Sequence, residues 1–158
     1  MQFHAFNVPL SSPIMGGACF RSSVELDEGC FKETADEYAE NTRQIIKEIK
    51  SLVDENGAMI ILQSDFMPVN WWLEEVGLED RIDFCLECFD SYYEAQAEVA
   101  SKEGIPFKDV FHILNGENLD QNPADMGLVG DDGIHENDKG AKLVAELYRN
   151  AGFEIWKP

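Results

Sequence analysis

Gly57-Ala58-Met59-Ile60-Ile61-Leu62 sets a continuous apolar run directly behind a glycine. The run from Ala58 to Leu62 is too short for a helix between such breakers and suits a strand buried on both faces. Upstream, Tyr38, Ile45, Ile46, Ile49, Leu52 and Val53 recur at helical spacing. Thr34-Ala35-Asp36-Glu37 has the form of a capping box, in which threonine and glutamate each satisfy an orphan helical N-H, so a helix is expected to start there. Gly57 supplies the left-handed residue that ends it. Helix, tight turn and buried strand in that order form the repeating unit of a parallel sheet.

The same unit is read on either side. Gln2 to Leu10 is short and apolar and reads as a first strand, emptying into a loop from Ser11 to Ser23 that carries Pro13, Gly16 and Gly17. Gln63 to Asn70 reads as the loop leaving the second strand. Trp71 and Trp72 open a short helical piece and read as packing residues, because large aromatics dominate burial in small domains. Arg81 to Lys102 is a second long helix, with Ile82, Cys85, Phe89, Tyr92, Tyr93 and Val99 along one face and Gly104 as its stop. Pro106 to Leu114 is expected to be a third strand, carrying Val110, Phe111, Ile113 and Leu114. A polar loop from Asn115 to Gly130 follows, then a last helix with Ala141, Leu143, Val144, Leu147, Tyr148 and Ala151 inward and Gly152 at its end. The expected class is therefore α/β: a three-layer, mostly parallel sheet with helices on both faces, in one domain spanning residues 1–158. In such sheets functional residues gather beyond the C-terminal ends of the strands, which puts the loops 11–23 and 115–135 on one rim.

Composition narrows the function. The 158 residues carry 31 acidic and 12 basic side chains, a formal net charge of -19. Such a field repels nucleic acid and anionic membrane, so neither is an expected partner. No run approaches the roughly 18 to 20 apolar residues of a membrane span, and Met1 to Leu10 lacks the form of a signal peptide, so a soluble, cytoplasmic protein is expected. Cys19, Cys30, Cys85 and Cys88 are read as reduced thiols. Cys85 and Cys88 form the one C-x-x-C and fall inside a helical pattern, where packing is the expected role.

Asp131-Asp132-Gly133-Ile134-His135-Glu136-Asn137-Asp138-Lys139-Gly140 carries the chemistry. It places a carboxylate three residues before a histidine on a glycine-containing turn, where an imidazole can be held in one tautomer and aimed as a general base. Mixed carboxylate and imidazole ligands from Asp131, Asp132, His135 and Glu136 also suit a metal, but four ligands within six residues crowd one loop, so no metal is assigned.

Asp132-Gly133-Ile134-His135, followed by Glu136-Asn137-Asp138-Lys139-Gly140 and a helix, resembles the D-x-x-H block of SGNH (GDSL-type) hydrolases, which often reads D-x-x-H-P-N-x-x-G. The upstream order of elements is similar to the C-terminal two thirds of that flavodoxin-like fold. The resemblance implies a hydrolase of acyl or acetyl esters, a small-molecule ester as substrate and no cofactor. His135 would take a proton from a serine, and Asp132 would hold the imidazole. Asn7, in Ala5-Phe6-Asn7-Val8, would match the asparagine that donates to the oxyanion.

Neither the family's G-D-S serine block nor its glycine block appears in the chain. The alignment implies that residue 1 falls at the family's third strand, with the first two strands and the nucleophile missing. Ser11, Ser12, Ser22, Ser23 and Ser64 are the hydroxyls that remain, Ser64 just past a strand and Ser12 past the first. An edge exposed along Gln2 to Leu10 by such a truncation would invite pairing, so a homo-oligomer through that edge is expected. The rival expectation is an inactive or incomplete domain of the same type with a binding or assembly role.

Overall fold

The computed structural model describes residues 28–53, 59–65, 69–75, 77–133 and 135–150. In chain order these form α1 (Glu28–Val53), β1 (Leu62–Gln63), α2 (Val69–Glu75), a 3-10 turn (Glu79–Arg81), α3 (Ile82–Glu103), β2 (Phe107–Lys108), α4 (Val110–Asn115) and α5 (Asp138–Arg149). The described residues are thus mostly helical, with a two-stranded parallel sheet in which Leu62 pairs with Phe107 and Gln63 with Lys108. This overturns the expected three-layer α/β sheet. The expected strand Gln2–Leu10, the loop Ser11–Ser23, and the stops at Gly57 and Gly152 lie outside the described residues.

The sheet is short for local reasons. Met59 is 64% exposed, and Ile60 and Ile61 are half-buried, so the apolar run is not a strand sealed on both faces; only Leu62 at its end is buried. On the partner side, the expected strand from Pro106 to Leu114 stops after Lys108 because Asp109 turns the chain into α4. Its side chain accepts a hydrogen bond from the backbone N-H of His112, satisfying one of the donors that a helix start leaves open. Val110, Phe111 and Leu114 then fall at positions i, i+1 and i+4 and are all buried, which is a helical face and not an alternating one. The backbone bonds Leu62 N to Pro106 O (3.0 Å) and Ser64 N to Lys108 O (2.9 Å) hold what pairing remains.

α1 begins at Glu28, ahead of the expected capping box, so Thr34 is an interior residue and not a cap. No proline interrupts residues 28–33, so nothing in that stretch of sequence breaks a helix. α1 packs along α3. The rings of Tyr38 and Tyr92 meet edge to face with centroids 5.2 Å apart, Gln96 Nε2 donates to the Tyr38 hydroxyl at 3.2 Å, and Ile46 joins Leu62, Val99 and Ala100 in a second cluster. At the far end Lys50 Nζ pairs with Glu103 Oε2 at 3.1 Å. Burial pushes the Tyr38 phenol up to about 12, so it stays neutral in this interface.

α3 keeps the face expected of it: Cys85, Phe89, Tyr92, Tyr93 and Val99 are buried, with Ile82 partly so, and Gly104 closes the helix at φ 65°. Cys85 and Cys88 are buried thiols in that core. α2 contains the expected Trp71 and Trp72, whose side chains lie outside what is described.

α4 faces two cores at once. Phe111 packs into the α1/α3 core, its ring centroid 4.8 Å from that of Tyr93. Val110 and Leu114, beside it on the buried side of the helix, meet Leu128, with Leu143, Val144 and Leu147 of α5 half-buried against them. Ala141, expected to face inward, is exposed. Phe111→Ala should therefore cost about 3–5 kcal/mol, measured by chemical denaturation, because it opens a cavity at a fully buried aromatic that joins the helices.

Candidate functional site

Leu128 is the fixed point from which the dyad loop is built. Its side chain is buried against Val110 and Leu114, and its carbonyl accepts from Asn137 N at 3.0 Å. Val129 and Glu136 form an antiparallel bridge, and Gly130 N donates to His135 O at 2.8 Å, so residues 128–130 and 135–137 run as two arms of a small hairpin. Gly133 N donates to Gly130 O at 3.0 Å and adopts φ 68°, the left-handed conformation glycine takes without steric cost. Asp131 and Asp132 occupy the middle of that turn.

Asp132 and His135 meet at the hairpin tip. Asp132 Oδ2 lies 2.7 Å from His135 Nδ1, and Asp132 Oδ1 accepts from the His135 backbone N at 3.0 Å. The carboxylate thus grips ring and backbone together, which sets Nδ1 as the protonated nitrogen and leaves Nε2 as the working one. The imidazole is 78% exposed. Asp132, by its hydrogen bond and its charge, raises the His135 pKa above the ordinary histidine value, and Glu136 adds to the shift.

The two later residues of the block hold the hairpin to α5. Asn137 is the N-cap: its Oδ1 accepts from Lys139 N (2.9 Å) and Gly140 N (3.2 Å), while its Nδ2 donates to Gly127 O (3.0 Å) and Val129 O (2.8 Å). Gly140 sits directly against the Leu128 carbonyl; a Cβ there would lie 2.4 Å from that oxygen and 2.9 Å from Glu136 Cβ.

The remaining sequence-predicted residues are not gathered here. Ser64 is fully buried, accepts from Phe111 N at 2.9 Å, and places its hydroxyl 3.3 Å from Asp109 Oδ1 and 3.4 Å from Lys108 O. It is part of the joint between β1, β2 and α4, and is not hydrogen-bonded to His135. Asn7, Ser12 and the serines 11, 22 and 23 lie outside the described residues. Asp131, Asp132, His135 and Glu136 form no metal cage, and among the described residues no group of three or more His, Cys, Asp or Glu side chains is arranged to hold an ion.

The sequence holds a second D-x-x-H. Asp109-Val110-Phe111-His112 repeats the bonds of the first: Asp109 Oδ1 accepts from His112 N at 3.0 Å and Oδ2 lies 2.8 Å from His112 Nδ1. The spacing alone could have found it. Here, however, the other ring nitrogen is occupied: Asp90 Oδ1 on α3 lies 3.2 Å from His112 Nε2, within ion-pair range though out of line for a hydrogen bond. Burial raises the Asp90 carboxyl, which His112 opposes and Glu94 and Asp109 reinforce.

Compared with protein-family models, with curated proteins and with solved structures, the chain has no match in any of the three. No helix among the described residues is long and apolar enough to cross a membrane.

Two outcomes follow from the geometry. Gly140→Ala should cost about 1–3 kcal/mol in a thermal or urea melt, since backbone and not a yielding side chain blocks the added methyl. In an NMR titration, the His135 ring should change charge at a pH above the ordinary value of about 6.5. Asp132→Asn should bring that midpoint down, because the aspartate favours the cationic imidazole; a midpoint indifferent to the substitution would mean that the pair does not persist in solution.

Proposed function

We propose that this chain is an ester hydrolase of the SGNH kind, with His135 as general base and Asp132 as the carboxylate that orients it. The observation that carries the reading is the 2.7 Å contact between Asp132 and His135 Nδ1, which leaves Nε2 as the working nitrogen of a side chain that is 78% exposed. The resemblance of residues 132–140 to the D-x-x-H block supports it from the sequence. His112 is the less suitable base, because Asp90 stands against its Nε2.

In this reading, His135 Nε2 takes the proton from a serine Oγ as that oxygen attacks the ester carbonyl. The alcohol leaves with the proton returned by His135, and water, deprotonated by the same nitrogen, releases the acid and frees the serine. Serine at neutral pH is a poor nucleophile, and base assistance is worth typically about 10²- to 10⁴-fold. Ser64 is the less suitable serine, being buried and bonded at the β2/α4 joint. Ser12 is the candidate within the chain, and Asn7 the candidate oxyanion donor.

The commitment of Ser64 is also the one observation favouring the rival reading, a domain that keeps the dyad without a nucleophile and serves in binding or assembly. Labelling with a fluorophosphonate, mapped to the modified peptide, separates the two. The hydrolase reading expects a labelled serine and turnover of short p-nitrophenyl esters, both reduced about 10²- to 10⁴-fold by His135→Ala. Turnover should rise with pH through the raised His135 pKa, since only the neutral imidazole accepts a proton. Neither labelling nor turnover in the unmodified chain would remove the enzyme reading and leave the binding one.

A further inference from the structure

We infer that Asn137 is a positioning residue for His135, locking the two arms of the dyad hairpin so that the imidazole keeps one direction. The consequence for turnover rests on the base role proposed for His135; the structural consequence does not.

An imidazole this exposed is not aimed by packing. Among the described residues its side-chain hydrogen-bond partner is Asp132, which belongs to the same turn. The direction of the pair is therefore inherited from the backbone of residues 128–137, and Asn137 is where that backbone is tied. Its amide Nδ2 spans the facing arm, bonding the carbonyls of Gly127 and Val129 on either side of Leu128, while its backbone N bonds the Leu128 carbonyl between them. Its Oδ1 meanwhile anchors the same residue to the first turn of α5. His135 lies two residues earlier on the arm so tied.

Asparagine alone does both jobs. Aspartate would cap α5 as well, but would set an oxygen against two carbonyls where two donors are needed. Serine caps nearly as well as asparagine and is too short to bridge the arm. Asn137→Ser therefore removes the tie while keeping the helix start, and adds no charge beside Asp132 and Glu136, the groups that act on His135.

The test uses the full chain. In Asn137→Ser, far-UV circular dichroism should be retained while the NMR titration midpoint of His135 moves down toward that of Asp132→Asn, because a loosened hairpin weakens the pair. Turnover of a p-nitrophenyl ester should fall about 10- to 100-fold in kcat with KM unchanged. Val144→Ala weakens the docking of α5 without touching the tie, and should leave the midpoint in place. A wild-type midpoint in Asn137→Ser, or an equal shift in Val144→Ala, overturns the inference. A moved midpoint in a chain that hydrolyses no ester upholds the positioning role and removes the hydrolase reading instead.

Discussion

The carboxylate of Asp109 is the joint on which the described structure turns. One of its oxygens faces the Ser64 hydroxyl from the end of β1 and accepts the His112 backbone N-H; the other meets the His112 ring. It thereby ends β2, starts α4 and ties both to β1. A helix of six residues has little stability of its own. It exists because this cap starts it and because its buried side is shared between two cores, Phe111 toward α3 and Val110 and Leu114 toward Leu128 and α5. The second of these contacts seats the dyad hairpin, since Leu128 is the residue whose carbonyl both Asn137 and Gly140 are built against.

The same joint explains why the fold departs from the one the periodicity predicts. Val110, Phe111, Ile113 and Leu114 satisfy both a short buried strand and one turn of an amphipathic helix, and periodicity over so few residues does not separate the two. The deciding signal was polar: an aspartate immediately ahead of the run, with a side chain free to accept from the third N-H beyond it. The run from Ala58 to Leu62 failed as a strand for a related reason. Its apolar character suits burial on two sides, whereas among its described residues Leu62 alone is buried, against α1 and α3. The long helices were legible because their faces repeat over several turns. α3 ends at Gly104 as expected; α1 begins earlier than its apparent capping box because nothing in residues 28–33 stops a helix.

The two D-x-x-H segments clarify what such a motif signifies. Both make the same pair of bonds, from one carboxylate to the backbone and ring of the histidine three residues on, with distances that agree within 0.1 Å. That geometry is a property of the spacing, as a capping arrangement is, and it forms equally at the start of a helix and at the tip of a hairpin. A base additionally requires that the second ring nitrogen be open, and the two histidines differ there. The second requirement is met by surroundings and not by the motif.

The sequence by itself determined that α1, α3 and α5 are helices, the buried face of α3 and the bond between Asp132 and His135, because each depends on contacts between residues a few positions apart; the faces expected of α1 and α5 held only in part, since Leu52 is 72% exposed and Ala141 is exposed. Only the tertiary structure decided that residues 110–115 are a helix, that Ser64 is a buried structural hydroxyl, and that Asp90, nearly two dozen residues from His112, faces that ring while nothing similar faces His135 among the described residues. These outcomes depend on which distant segments share a core, and a local pattern carries no information about a partner brought in from another helix.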